Sequence, residues 1–162
     1  MQNNDVLRLT QILRVVEKEN RLLQGVRARL FTANSELTHE WLAVVLSTPQ
    51  GEDMLESFGA KFARMQDTVI DKLLPRLLAA AGEKPQAAID NLNKAEKLNL
   101  VEDAQQWINM RRLRNKLVHE YLDSDEEMLP ALMLANGFCD VLNVTYERVR
   151  NYAKESLGIR IE

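Results

Sequence analysis

The chain has 162 residues, a length that fits one domain and at which roughly 70% of the unfolded surface is buried. With 6 Gly and 4 Pro it is unlike a turn-dense all-β protein, and its abundant Leu, Ala, Glu, Lys and Arg favour helices. A net charge of −3 excludes a globally basic nucleic-acid coat but leaves room for a local basic groove. We expect an all-α fold, one up-and-down bundle of five or six helices spanning residues 1–162.

Cysteine and histidine usage argues against a disulfide or a metal centre. Cys139 is the single cysteine, so it cannot form an intramolecular disulfide, and its apolar neighbours indicate an inert core thiol. His39 lies near no second metal ligand and is interpreted as a surface or packing residue. The N-terminus lacks the features of a secretion signal, and the apolar runs are too short to span a bilayer. We expect a cytoplasmic protein with no metal, no cofactor and no membrane contact.

The N-terminal segment predicts a long first helix that reaches residue 31 or 32. Its apolar residues recur at steps of three and four or their multiples, as in a helix lying along a bundle: Leu9, Leu13, Val16, Leu23 and Leu30. Core packing is the favoured interpretation of this seam, although its polar positions, Asn20 and Arg27, could contact a partner. Residues 32–35 either bend this helix or cap a second one that ends at Leu46.

A break at residues 47–51 precedes a long helix expected over residues 52–81. Pro75 lies inside that helix and removes one backbone donor, so we expect a kink near residues 71–72. Gly82 is suited to end the helix in a left-handed conformation.

Three further helices follow. The first covers residues 86–97, with Asn99 as a left-handed cap. The second begins at Glu102 or Asp103. The third begins at a capping box of Ser124 and Glu127, runs to about residue 157, and turns the following side chains inward: Leu129, Leu132, Phe138, Val141, Leu142, Val144, Tyr146 and Val149.

The penultimate of these helices holds a local concentration of basic residues within residues 111–121. On a helical wheel its apolar face contains Trp107, Met110, Leu117 and Tyr121. Its opposite, polar face contains Arg112, Asn115, Lys116 and His119. Asn115 and His119 are four positions apart, so their side chains can converge on one ligand. Arg114 is the exception, because it points to the apolar side.

Two interpretations of Arg114 remain open. Its guanidinium either pairs with an acid from another helix, Asp67 or Asp71, or borders a cleft or subunit contact where it reaches a phosphate. For Asp67 and Asp71 themselves, an intrahelical charge ladder with nearby basic residues is favoured. For His119, bonding to carbonyls at the helix end competes with a catalytic role.

Residues 114–121, Arg-Asn-Lys-Leu-Val-His-Glu-Tyr, resemble the signature of the HEPN superfamily. They fit the Arg-x4-His-x-Tyr form of HepT-type toxins, in which Asn usually follows Arg, through Arg114, Asn115, His119 and Tyr121. The position of the motif, near the end of the penultimate long helix, agrees with this family. Outside the motif the likeness is weaker.

The resemblance implies a homodimer in which the motif helices of two subunits face each other across a cleft. Many such proteins are metal-independent endoribonucleases that act as toxins. Others are non-catalytic nucleotide- or protein-binding subunits of a small nucleotidyltransferase. In the toxin systems the cognate nucleotidyltransferase is the antitoxin and adds AMP to the motif tyrosine, here Tyr121.

The motif residue types suit metal-independent RNA cleavage, with Arg114, Asn115 and His119 as the expected catalytic residues. A histidine can act as base or acid near neutral pH, and the planar fork of an arginine can hold the scissile phosphate. Asn115 would orient His119 or the phosphate. Further RNA or nucleotide contacts are expected from Arg111, Arg112 and Lys116. With one motif histidine per subunit, acid and base come from both subunits, or water replaces one; a purely structural dimerisation module is the third hypothesis.

Overall fold

The computed structural model of the chain describes residues 3–32, 36–117 and 125–161. Its helices are α1 (Asn3–Leu30), α2 (His39–Leu46), α3 (Pro49–Thr68), α4 (Leu74–Ala80), α5 (Ala88–Lys97), α6 (Ala104–Asn115) and α7 (Asp125–Leu157). A π-helical turn, Val69–Leu73, joins α3 to α4. The described ranges contain no β-strand, and the predicted all-α bundle is confirmed: α3, the π turn and α4 form one long helix, which makes six helices.

A threonine cap fixes the start of α3 earlier than the sequence indicates. The side-chain oxygen of Thr48 accepts a hydrogen bond from the backbone N–H of Gly51 at 3.1 Å. Pro49 then occupies the first turn, where its missing N–H costs nothing. The expected start at Glu52 is therefore wrong by three residues, because proline is tolerated at that position.

The N-cap of the second helix lies outside residues 32–35, the segment that the sequence suggested as its cap. Thr38 accepts a hydrogen bond from the backbone N–H of Trp41 at 3.1 Å, and α2 begins at the following residue. Left-handed residues end two other helices as predicted, with φ of 83° at Gly82 and 62° at Asn99.

Pro75 accounts for the π turn between α3 and α4. A proline has no N–H to donate to the carbonyl four residues earlier, which here belongs to Asp71. The backbone N–H of Leu74 donates to the carbonyl of Val69, five residues back. The kink expected near residues 71–72 therefore takes the form of one wide helical turn.

The first helix packs against α3, α4 and α7. Its predicted apolar seam is buried throughout, and its two polar positions contact α7. Asn20 donates to the side-chain oxygen of Asn143 at 2.8 Å. Arg27 makes two hydrogen bonds to Asp140, at 2.7 and 3.2 Å, and these hold the pKa of the Asp140 carboxyl below its usual value. Both positions are therefore engaged in contacts within the chain.

All four Phe and both Trp side chains form one continuous series of ring contacts through the core. Neighbouring ring centroids lie 5.0 to 6.1 Å apart, in stacked and edge-to-face arrangements. In spatial order the rings are Trp41, Phe31, Phe58, Phe62, Phe138 and Trp107. This series connects the α2 end of the bundle to α6.

The last helix supplies much of the core. By length and composition alone its residues 126–157 could cross a membrane, but half of their most apolar window is buried inside the protein. Leu129, Leu132, Phe138 and Leu142 are buried as predicted, whereas Val144, predicted to face inward, is 43% exposed. Cys139 is fully buried, and burial raises its pKa to about 12, so the thiol stays protonated. A core helix accounts for this composition.

Candidate functional site

The basic helix α6 is fixed at its start by Asp103. Its carboxylate accepts hydrogen bonds from the backbone N–H groups of Gln105 and Gln106, at 3.0 and 3.4 Å. After Asn115 the chain continues in π-helical geometry through residues 116 and 117. The described residues resume at 125, so His119, Tyr121 and the predicted cap Ser124 lie outside them.

The two faces predicted for α6 are present as far as the helix is described. Trp107 is fully buried, and Met110 and Leu117 are 8% and 6% exposed. The polar face is exposed at Arg112, Asn115 and Lys116.

Gly59 sets how closely α6 approaches α3, a role that was not predicted from the sequence. A Cβ at this position would lie 3.3 Å from the carbonyl oxygen of Leu117, which is closer than ordinary van der Waals contact. A glycine inside a helical pattern costs helix propensity, and that cost is the signal that could have marked the position. Gly59 therefore lets the end of the motif helix rest on the backbone of α3.

We expect Gly59→Val to lower the free energy of unfolding by about 1–3 kcal/mol, because the added methyl groups force α3 and α6 apart. Urea unfolding followed by circular dichroism measures this cost. Gly137→Val is the matched control, since a Cβ at Gly137 in α7 would meet no atom within 4 Å. An equal loss of stability in both variants would show that close packing at Gly59 is not the cause.

Arg114 is engaged by an acid of another helix. Its Nη1 donates to Oδ2 of Asp67 at 2.5 Å, and the two side chains are 23% and 38% exposed. One turn earlier on α6, Arg111 forms a longer ion pair of 3.5 Å with Asp71 of the π turn. Both acids therefore pair across helices, and the favoured intrahelical charge ladder is wrong, because α6 brings two arginines over this face.

The second interpretation of Arg114, a position at a cleft, holds as well. A cleft of about 480 Å³ opens between α6, the N-terminal end of α5 and the π turn. Its basic side is formed by Arg111, Arg112 and Arg114, with the neutral amide of Asn115 beside them. Its apolar side includes Ile70, Ile89, Leu92, Trp107 and Ile108. The guanidinium of Arg114 thus lies between the Asp67 carboxylate and an open, partly apolar space.

The cleft favours an anion. Ala87, the N-cap residue of α5, offers no side-chain oxygen to the free N–H groups of the first turn, and it lines the cleft together with Ala88. The positive end of the α5 dipole therefore adds to the three arginines, and Asp90 in the first turn of α5 offsets part of this charge. Among the described residues, Arg112 has no acidic partner. A phosphate group fits the charge of this surface.

The structure brings four of the predicted site residues together and leaves one apart. The four are Arg111, Arg112, Arg114 and Asn115, which share the cleft. Lys116 is exposed beside the cleft but is not among its lining residues. The apolar side was not foreseen, because Ile89 and Ile108 come together only through the packing of α5 on α6.

The all-α bundle agrees with the HEPN resemblance, but the cleft described above lies within one chain and is distinct from the cleft between two subunits that the resemblance implies. Residues 67–132 match the model of a family described as Ribonuclease HepT-like. The match covers less than half of the chain, but it includes Asp67, the π turn, α5, α6 and the complete motif. It confirms the resemblance to HepT-like ribonucleases and supports a HEPN-type ribonuclease in general. No curated protein and no solved structure matches the chain.

Proposed function

We propose that this protein is the toxin of a HEPN/nucleotidyltransferase toxin–antitoxin system and cleaves RNA, without a metal ion, at the cleft of a homodimer. One observation carries the proposal. Arg114 and Asn115, the first two motif residues, lie on an arginine-rich face of α6 within the segment that matches HepT-like ribonucleases, and this face would border the proposed dimer cleft.

The chemistry assigns one task to each motif residue. A guanidinium has five N–H donors, so Arg114 can keep its bond to Asp67 and still bind the scissile phosphate. The 2′-oxygen of the RNA attacks phosphorus while a base removes its proton, and the 5′-oxygen leaves with a proton from an acid. His119 of one subunit acts as the base and His119 of the partner subunit as the acid. Asn115 orients the phosphate or the imidazole.

The same site gives the antitoxin a simple means of inhibition. Tyr121 follows His119 by two positions, so AMP attached to Tyr121 would place a phosphodiester anion and a nucleoside beside the motif. That anion would compete with RNA for the arginines and fill the space needed by the substrate. The cognate small nucleotidyltransferase is the proposed enzyme of this modification.

A second candidate function is that of a non-catalytic nucleotide- or protein-binding subunit of a small nucleotidyltransferase. The ion pair between Arg114 and Asp67 favours it, because a guanidinium already bound to a carboxylate has less charge to offer a transition state. The cleft would then bind its ligand without cleaving it.

Incubation of the purified protein with total RNA in EDTA tests the first function. We expect wild type to cleave the RNA and His119→Ala, with an unchanged circular dichroism spectrum, to cleave it much more slowly. Cleavage that stops on addition of EDTA would contradict the metal-independent reaction. Equal cleavage by both proteins would remove His119 from it. Co-purification with a nucleotidyltransferase, with no cleavage by wild type, would favour the second function.

A further inference from the structure

The apolar side of the cleft exceeds what phosphate binding requires. Ile89 is 56% exposed, yet it sits beside the basic side chains of α6, and Ile108 contributes to the same wall. Exposing apolar side chains to water next to arginines has no benefit for binding a bare phosphate. This pairing of an apolar wall with guanidinium groups matches a ligand that is itself half apolar and half anionic.

A nucleotide has this composition, and the cleft has a suitable size. Its volume of about 480 Å³ lies within the range of small-molecule sites. Unstacked bases bind to apolar and aromatic side chains and to guanidinium planes, and they offer acceptors at their edges. Trp107 borders the cleft, and its buried indole N–H has no acceptor among the described residues. The indole is fully buried, so it lies behind the cleft wall and not on its surface.

The arginines are placed to hold a strand as well as a single phosphate. Arg111 and Arg114 are three residues apart on one helix face, about 5–6 Å between Cβ atoms, so they can contact successive phosphates. The exposed 3.5 Å pair of Arg111 with Asp71 is weak, and Arg112 has no acidic partner in the described part of the chain. Both side chains can therefore turn toward a ligand at little cost.

We propose that this cleft is a nucleotide subsite for single-stranded RNA. One base lies against Ile89 and Ile108, and its phosphate binds Arg111 and Arg112. The inference rests on the proposed function in taking RNA as the substrate, and it places the bound nucleotide next to the phosphate that Arg114 holds. The charge of the cleft favours this occupant over an uncharged peptide segment.

Fluorescence of Trp107 provides the test. The chain has two tryptophans, so Trp41→Phe leaves Trp107 as the only indole and keeps the ring stack with Phe31. The probe is a 2′-O-methyl hexanucleotide, which binds like RNA but has no free 2′-hydroxyl to attack phosphorus. We expect it to quench Trp107 with saturation, and Ile89→Glu to weaken its binding at least tenfold.

Val44→Glu is the matched control, because Val44 is 70% exposed on α2 and does not line the cleft. We expect its affinity to stay within about twofold of the parent, with both variants melting near the parent temperature, since both sites are largely exposed. Equal binding by Ile89→Glu and Val44→Glu would overturn the subsite. Binding of 5′-AMP as tight as that of the hexanucleotide would assign the cleft to a free nucleotide and overturn the RNA assignment.

Sedimentation of the same variants tests the remaining alternative, in which the apolar wall of the cleft is a contact between two copies of the chain. A dimer that Ile89→Glu turns into monomers, with unchanged hexanucleotide affinity, would assign the wall to a second copy of the chain and overturn the proposal. Because the probe cannot be cleaved, quenching does not depend on catalysis. Ile89-dependent quenching by a protein that never cleaves RNA would support the subsite while removing the ribonuclease function.

Discussion

Replacing Arg114 by alanine is expected to lower the rate of RNA cleavage by about 10²–10³-fold, the usual cost of losing one donor that stabilises transition-state charge. Arg114 is the one charged motif residue in the described ranges, and its guanidinium borders the cleft. Arg114→Lys should recover part of the rate, because an ammonium keeps the charge but lacks the planar fork. Single-turnover cleavage of a defined RNA in EDTA measures both variants.

A loss of folding would not account for this effect. The Arg114–Asp67 pair is partly exposed, but Oδ1 of Asp67 is buried, so removal of the arginine should cost about 1–2 kcal/mol of stability. Such a cost leaves nearly all of the protein folded at the assay temperature. Thermal melts of Arg114→Ala, run beside the cleavage assay, separate the two contributions.

Arg148→Ala provides the matched control for Arg114→Ala. Arg148 forms a longer and more exposed ion pair with Glu102, at 3.2 Å, but lies on α7 and does not line the cleft. The Arg148→Ala variant loses one positive charge and one ion pair, as Arg114→Ala does, and should cleave RNA at the wild-type rate. Similar losses in the two variants would mean that net charge, rather than the position of Arg114, governs the reaction.

Features decided by neighbouring residues were predictable from sequence. The start of α6 follows from the carboxylate of Asp103, and the distortion near residues 71–72 follows from the missing N–H of Pro75. The two faces of α6 follow from helical periodicity, which the packing of Trp107 preserves. These cases need no knowledge of which helix lies beside which.

Features decided by the distance between helices were not predictable. Asp67 and Asp71 differ by about one helical turn, so the sequence could not tell which of them meets Arg114. The partner depends on how closely the end of α6 packs against α3. The close approach is possible because Gly59 has no side chain. The wrong prediction that Val144 is buried has a related cause. Periodicity identifies the apolar face of α7, but it does not show how much of that face the neighbouring helices cover.

The apolar side of the cleft illustrates the same limit. Ile89 looks like an ordinary apolar residue at the start of α5, and Ile108 like one in the middle of α6. Their common wall exists only because α5 folds back against α6. The motif therefore locates the proposed phosphate-binding residue Arg114, while the proposed base-binding residues come from the tertiary structure.

Phe62→Ala is expected to have the largest effect on stability, a loss of about 3–5 kcal/mol in the free energy of unfolding. Phe62 is completely buried in α3 and connects two parts of the aromatic series, with ring centroids 6.0 Å from Phe58 and 6.1 Å from Phe138. Truncation leaves a cavity lined by rings from α3 and α7, which rigid helices cannot close. Domains of this kind have about 5–15 kcal/mol of stability, so the variant should unfold at much lower urea concentration.

Phe62→Leu and Phe31→Ala test whether the cavity is the cause. Leucine retains most of the buried volume, so Phe62→Leu should cost less than half of the alanine value. Phe31 follows α1 and is only partly buried, so its truncation leaves a space that water can enter and should also cost less. Equal losses in all three variants would point to a general weakness of the bundle. The expected order instead makes Phe62 the point where the core supports α3, the helix that carries Asp67 to Arg114.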